Sequence, residues 1–120
     1  MRERGDAMPY DIEAALVAWI AANTGWDAAT EVPNPRPERF VSIERTGGGV
    51  TGVVLDNPAV AIQCWAQTRA EAAEMACSIR DMLPSFRYEA NVRAVSINSM
   101  ASFPADDSPR YQIVADIKTV

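Results

Sequence analysis

Two short runs, two cysteines and three tryptophans are the first places to look for chemistry in this 120-residue chain. Gly47-Gly48-Gly49-Val50-Thr51-Gly52 fits the Gly-x-Gly-x-x-Gly spacing of dinucleotide-binding loops. That chemistry needs a helix opening directly after the loop, so that its free amides and dipole meet a pyrophosphate. Here Val53-Val54-Leu55 follows, and then Asn57-Pro58. No helix starts where the ligand would need it, and the run reads as a hairpin tip in which glycine permits positive φ. Asp106-Asp107, set between Pro104 and Pro109, offers two carboxylates. A calcium loop places oxygen ligands at several fixed spacings that are missing here, so the pair reads as solvated turn acids.

The chain contains no histidine. This removes Ser-His-Asp and Cys-His catalysis and histidine-ligated zinc. Cys64 and Cys77 are not in a Cys-x-x-Cys pair and cannot build a disulfide framework. They read as small buried hydrophobes, which fits a reducing, intracellular origin. No acid–base constellation meets the requirements of an active site, so no enzyme activity, cofactor or metal is expected. Among the tryptophans, Trp19 reads as core, and Trp65 serves either core or an interface. The arginines scatter: Arg36 and Arg39 flank a proline loop, while Arg45 and Arg69 sit at element ends. They provide surface solubility or, more sharply, bidentate contact with carboxylates across a subunit boundary.

The elements that position these residues follow from periodicity. The length fits one domain. Residues 1–9 read as a flexible arm, and residues 10–120 as a single domain. A helix is predicted from Asp11 to Asn23, with Ile12, Leu16, Trp19 and Ile20 in one stripe and Gly25 as its stop. Pro33 to Glu38 holds three prolines and must be an extended loop, preceded by a short strand near Ala29 to Val32. Phe40 to Arg45 alternates as a strand that the Thr46 to Gly49 run should end. Asn57-Pro58 signals a turn before a second strand, Ala59 to Trp65. Thr68-Arg69-Ala70-Glu71 matches a capping box and opens a helix whose narrow face is Ala72, Ala76, Ile79 and Leu83, with Pro84 as its end. Strands near Val92 to Asn98 and Arg110 to Lys118 complete the chain. Short connections favour mostly antiparallel pairing. The fold class is α+β: one domain with an antiparallel or mixed sheet and two helices packed on one face.

Composition sets further bounds. Sixteen acids against eleven bases give a net charge of -5, which argues against a nucleic-acid binder held by a general basic surface. Of the 48% hydrophobic residues, 20 are alanines that bury little area each, so the core is thin for a lone monomer and a partner surface is expected. Asp6, Asp11 and Glu13 interrupt the N-terminal apolar stretch, against a cleaved secretion signal. No apolar run reaches the ~18 residues of a membrane span.

One resemblance runs through the chain. Its residues are Val32-Pro33, Arg36-Pro37-Glu38-Arg39-Phe40-Val41 and Arg45-Thr46-Gly47-Gly48. After a variable hairpin come Asp56 and Pro58, then Val60-Ala61-Ile62-Gln63-Cys64-Trp65-Ala66, then Thr68-Arg69-Ala70-Glu71-Ala72, and finally Pro109-Arg110-Tyr111. In order and spacing they resemble the tail terminator proteins of long-tailed (siphovirus-type) phages of actinobacteria. The resemblance implies an α+β domain that assembles into a six-membered ring in the virion tail and neck, built in the host cytoplasm. Such a ring caps the tail tube, ends its polymerisation and joins the tail to the neck or head-completion protein. It implies binding and geometry without catalysis.

Under that resemblance, ring contacts are heterologous, one face of a subunit meeting a different face of the next. Exposed loops are then the arms. The candidate inter-subunit or tube contacts are Pro33, Arg36, Arg39, Arg45, Gly48, Gly49, Val50, Trp65 and Arg69. A ring of six copies at -5 each carries about -30, which suits a lumen that DNA passes without specific binding. Glu71, Glu74 and Asp81 are the candidate lumen acids. Another phage neck component, such as a head–tail connector or head-completion protein, has the same size and acidic balance. In a different class, a small α+β ligand-binding regulatory domain would need a pocket with convergent polar groups.

Overall fold

The computed structural model describes residues 10–51, 55–105 and 107–120, without the side chains of 48–51, 55 and 56. Helix α1 (Ile12–Thr24) begins where Asp11 accepts a hydrogen bond from the Ala14 amide at 3.1 Å. It ends at Gly25, whose φ of 78° lets its N–H turn back to the Ala21 carbonyl at 3.0 Å. Strand β1 (Asp27–Ala29) follows at once, earlier than the Ala29 to Val32 expected, because the left-handed cap turns the chain directly alongside β2 (Phe40–Thr51). Then come β3 (Leu55–Trp65), α2 (Arg69–Met82), a 3₁₀ turn (Leu83–Tyr88), β4 (Val92–Ser102) and β5 (Arg110–Thr119). The expected 1–9 arm lies outside the described residues.

The five strands form one mixed sheet in the order β1-β2-β3-β5-β4. Only β1 runs parallel to its neighbour. Alternation sorts the two faces. Val41 and Ile43 of β2, Val60, Ile62 and Cys64 of β3, and Ile113, Ala115 and Ile117 of β5 all point to the helices and are fully buried. Ile12, Leu16 and Ile20 of α1 meet them, with Ala72, Met75, Ala76 and Ile79 of α2. Burying each large aliphatic side chain contributes about 2 kcal/mol. The α+β class with both helices over one sheet face is thus the observed architecture. Trp19 is half-buried against the core, its ring edge-on to Phe86 at 5.1 Å.

Several boundaries differ from the sequence reading, each for a physical reason. Strand β2 does not stop at the glycines. It bulges between Arg45 and Gly47 and continues to Thr51, because Gly48 and Gly49 pair with Pro58 and Asn57 across the hairpin. Asn57-Pro58 is therefore no turn but lies inside β3, which begins at Leu55. Pairing with β5 is present at Asp56 and resumes at Ala59, so the proline without an N–H falls in the gap between. The second helix does end just before Pro84, as expected, at Met82; the chain then continues as the 3₁₀ segment, whose first turn accepts Pro84 because its missing N–H has no partner to lose there. Met75 joins the buried face of α2 unforeseen. β4 extends to Ser102, carried past Asn98 by a second bulge.

Candidate functional site

The helix-free face of the sheet carries a cluster at the end where β2 and β5 begin and β3 ends. Trp65 lies opposite Phe40 on one side and Arg110 on the other, which puts all three side chains on this face. The indole is 9% exposed and Phe40 is buried, although neither belongs to the core under the helices. The Arg36 guanidinium lies 5.1 Å from the Trp65 ring centre, and that of Arg110 lies 4.8 Å from it. Arg110 also stacks on Phe103 at 4.8 Å, and its Nε donates to the Phe103 carbonyl at 2.8 Å. Such cation–aromatic contacts are worth about 0.5–2 kcal/mol each.

A directed hydrogen-bond chain holds the indole from below. Trp65 Nε1 donates to Ser42 Oγ at 2.9 Å, Ser42 donates to Gln63 Oε1 at 2.7 Å, and Gln63 donates to Gln112 Oε1 at 3.0 Å. Ser42, Gln63 and Gln112 are register partners on β2, β3 and β5, so strand pairing alone sets this row. The proline loop reaches over the same end of the sheet: Arg36 donates through its terminal nitrogen to Ser108 Oγ at 3.2 Å. Its Nε is buried with no hydrogen-bond partner.

Of the expected contact residues, Arg36 and Trp65 come together here. The others do not. Arg39 reaches α2 and lies 3.8 Å from Glu71 and 3.5 Å from Glu74. The Nε of Arg45 donates to the Gly47 carbonyl at 3.2 Å, and its amide donates to Glu13 of α1 at 2.8 Å. Arg69 is exposed at the start of α2, and Pro33 is exposed in the loop. Gly48, Gly49 and Val50 lie on the distal part of β2, at the far end of the sheet from Trp65. The three candidate lumen acids each stand beside an arginine: Glu71 and Glu74 share Arg39, and Asp81 pairs with Arg80 at 3.3 Å. The cap of α2 forms from one side only. Thr68 Oγ accepts from the Glu71 amide at 3.1 Å, while the Glu71 carboxylate turns to Arg39.

Sequence reasoning missed Ser42, Gln63, Gln112, Phe103 and Ser108 as members of the cluster. The signal was parity: Trp65 is in phase with Gln63, opposite to Val60, Ile62 and Cys64, and so belongs to the second face. Among the described residues, no three or more Cys, Asp or Glu side chains converge on a metal-sized site. Asp107 is exposed at φ 62°, in keeping with a turn acid, and Asp106 lies outside the described residues. Cys64 is buried and its thiol is pushed up to about 12 by burial, so it stays protonated; Cys77 is half-buried.

A groove of about 550 Å³ runs between α1 and the segment after the 3₁₀ turn, lined by Tyr10, Ala18, Trp19, Ala22, Phe86 and Glu89. Burial, then the charges of Glu89 and Asp11, hold the Tyr10 phenol above its ordinary range. No described helix is long and apolar enough to cross a membrane. Fold and site define a single α+β domain with an arginine–aromatic cluster at one end of its sheet and a β-hairpin arm at the other. No protein-family model matches the chain, and no curated protein matches it.

Proposed function

We propose that this protein is a tail terminator of a long-tailed phage. It forms a ring, of six copies in the resembling family, that caps the tail tube, ends its polymerisation and joins the tail to the neck or head-completion protein. One observation carries the reading. Several segments of the resemblance fall on the β2–β3 pair and its neighbours: Arg36, Phe40, Trp65 and Arg110 meet at the cluster, and Arg45 to Thr51 pairs with Leu55 to Pro58 in the arm. Short segments that carry one function are expected to meet in space, and Arg36, Phe40, Trp65 and Arg110 do so from three separate segments.

The activity is mechanical. A subunit that must bind neighbours around an axis and a tube along it needs contact surfaces at separate places. The cluster and the arm lie at opposite ends of β2 and β3. The net charge of -5 per copy disfavours adhesion of DNA passing through the ring. The test is to add the purified protein to polymerising tail-tube subunits and image the products. Tubes of fixed length with a ring on one end support the reading. Uncapped tubes, with the protein bound instead to the head portal, assign it to a head–tail connector or head-completion role.

A further inference from the structure

We infer that Arg36 is the seat for a carboxylate of a neighbouring copy of this chain; this rests on the ring reading and names its lateral contact. Arg36 has no ion pair among the described residues, although it is half-buried. Arg69, Arg93 and Lys118 also lack an ion pair there, but they are exposed. Arg36 differs in being held. Trp65 stacks on it, Ser108 accepts from one terminal nitrogen, and its Nε is closed off from water without a partner. A guanidinium fixed in this way has already lost rotamer freedom and part of its hydration, so a bidentate carboxylate gains more from it than from a free surface arginine.

The local field adds to this. Arg36 and Arg110 both stack on one indole, so their charged centres stand no more than about 10 Å apart, within a Debye length at ~0.1 M salt. Each raises the attraction of the other for an anion. The occupant follows from charge balance. With 16 acids against 11 bases, each copy has carboxylates in excess of its own cations, while a net charge of -5 works against a nucleic-acid phosphate. Heterologous contacts then place an acid from one surface of a subunit on the Arg36 surface of the next.

Arg36→Gln keeps a planar amide over Trp65 and removes the charge. Arg36→Met keeps only the stem and serves if the glutamine variant loses its far-UV spectrum. Assembly is measured by sedimentation and native mass spectrometry, alone and on tail tubes, between 0.05 and 0.5 M NaCl. We expect the neutral variant to keep its fold and to assemble at least tenfold more weakly. Its salt dependence should also be shallower than that of the wild type. Equal dissociation constants and equal salt slopes overturn the assignment of Arg36 while leaving the ring intact. A wild type that stays monomeric both alone and on tubes overturns the ring reading, and this inference with it.

Discussion

Ser42 is the residue on which the cluster's geometry turns, and Ser42→Ala tests that directly. The hydroxyl accepts from the Trp65 indole at 2.9 Å and donates to Gln63 at 2.7 Å, at a position only 4% exposed. Alanine deletes both bonds. The indole N–H is buried and loses its acceptor, and a buried unpartnered donor costs about 1–3 kcal/mol. Gln63 is half-buried and can recover part of its loss from solvent, adding about 0.5–1 kcal/mol. The expected destabilisation is therefore about 1.5–4 kcal/mol. At ~2.1 cal/mol/K per residue, a chain of 120 residues loses about 4 °C in Tm per kcal/mol, giving a fall of about 6–16 °C. Thermal unfolding followed by circular dichroism reads this. The decisive control is the cycle with Trp65→Phe, which has no N–H to orphan. In that background Ser42→Ala should cost about 1–2 kcal/mol less. A shift under about 2 °C, or additivity within ~0.5 kcal/mol, would refute the claim that Ser42 holds the indole in place.

Other outcomes follow from the same geometry. Deleting residues 48–52 shortens the arm beyond the sheet that packs under the helices, so the variant should fold with a wild-type far-UV spectrum while failing in ring formation or tube capping; normal rings and normal tail length would refute an arm function. In a thiol titration of the native protein at pH 8, Cys77 should react and Cys64 should react only on unfolding, since the Cys64 thiol is buried and protonated there. Because burial raises Cys64 from 9.0 to about 12, its contribution is fully present below pH 9 and is lost as pH rises from 9 toward 12. About 4 kcal/mol is the upper limit of that loss. A urea midpoint unchanged between pH 8 and pH 11 would contradict it.

How far the fold could be read from the sequence depended on whether a local pattern or a partner strand decided each element. Helix α1 carried its own start and stop in Asp11 and Gly25, and α2 carried its start in Thr68, so both were placed to within a residue or two. The faces of β2, β3 and β5 followed from alternation. The hairpin did not, because Gly47 to Gly49 and Asn57-Pro58 carry turn chemistry locally and become strand only by pairing with each other. β4 was cut short for a similar reason: its bulge between Ile97 and Ser99 breaks the alternation that marks a strand. The site was legible in part. Arg36 and Trp65 could be singled out as residue types. That Arg36 sits on Trp65 beside Arg110 depends on where the proline loop lies over the sheet, and the loop's residues carry no periodicity that says so.

The distance between the two candidate contacts constrains what a ring of such subunits can do. β2 has twelve residues from Phe40, beside Trp65, to Thr51 at the arm, which at ~3.3 Å per residue is about 36 Å of nearly extended chain. Lateral contacts in a ring repeat around its axis, whereas contact with a tube below lies along that axis. A strand pair with a held cation at one end and a hairpin arm at the other separates these two tasks within one small domain. The pairing of β2 with β3 is continuous apart from the bulge after Arg45, so the bulge is the place where the arm's direction can change without disturbing Trp65. Under the proposed function, losing the Arg36 charge should weaken neighbour contacts while leaving the arm's pairing intact. Shortening the arm should leave the cluster and its hydrogen-bond row in place. The two defects should therefore be separable, because the described contacts of Trp65, Ser42, Gln63 and Arg36 all lie on the Trp65 side of the bulge.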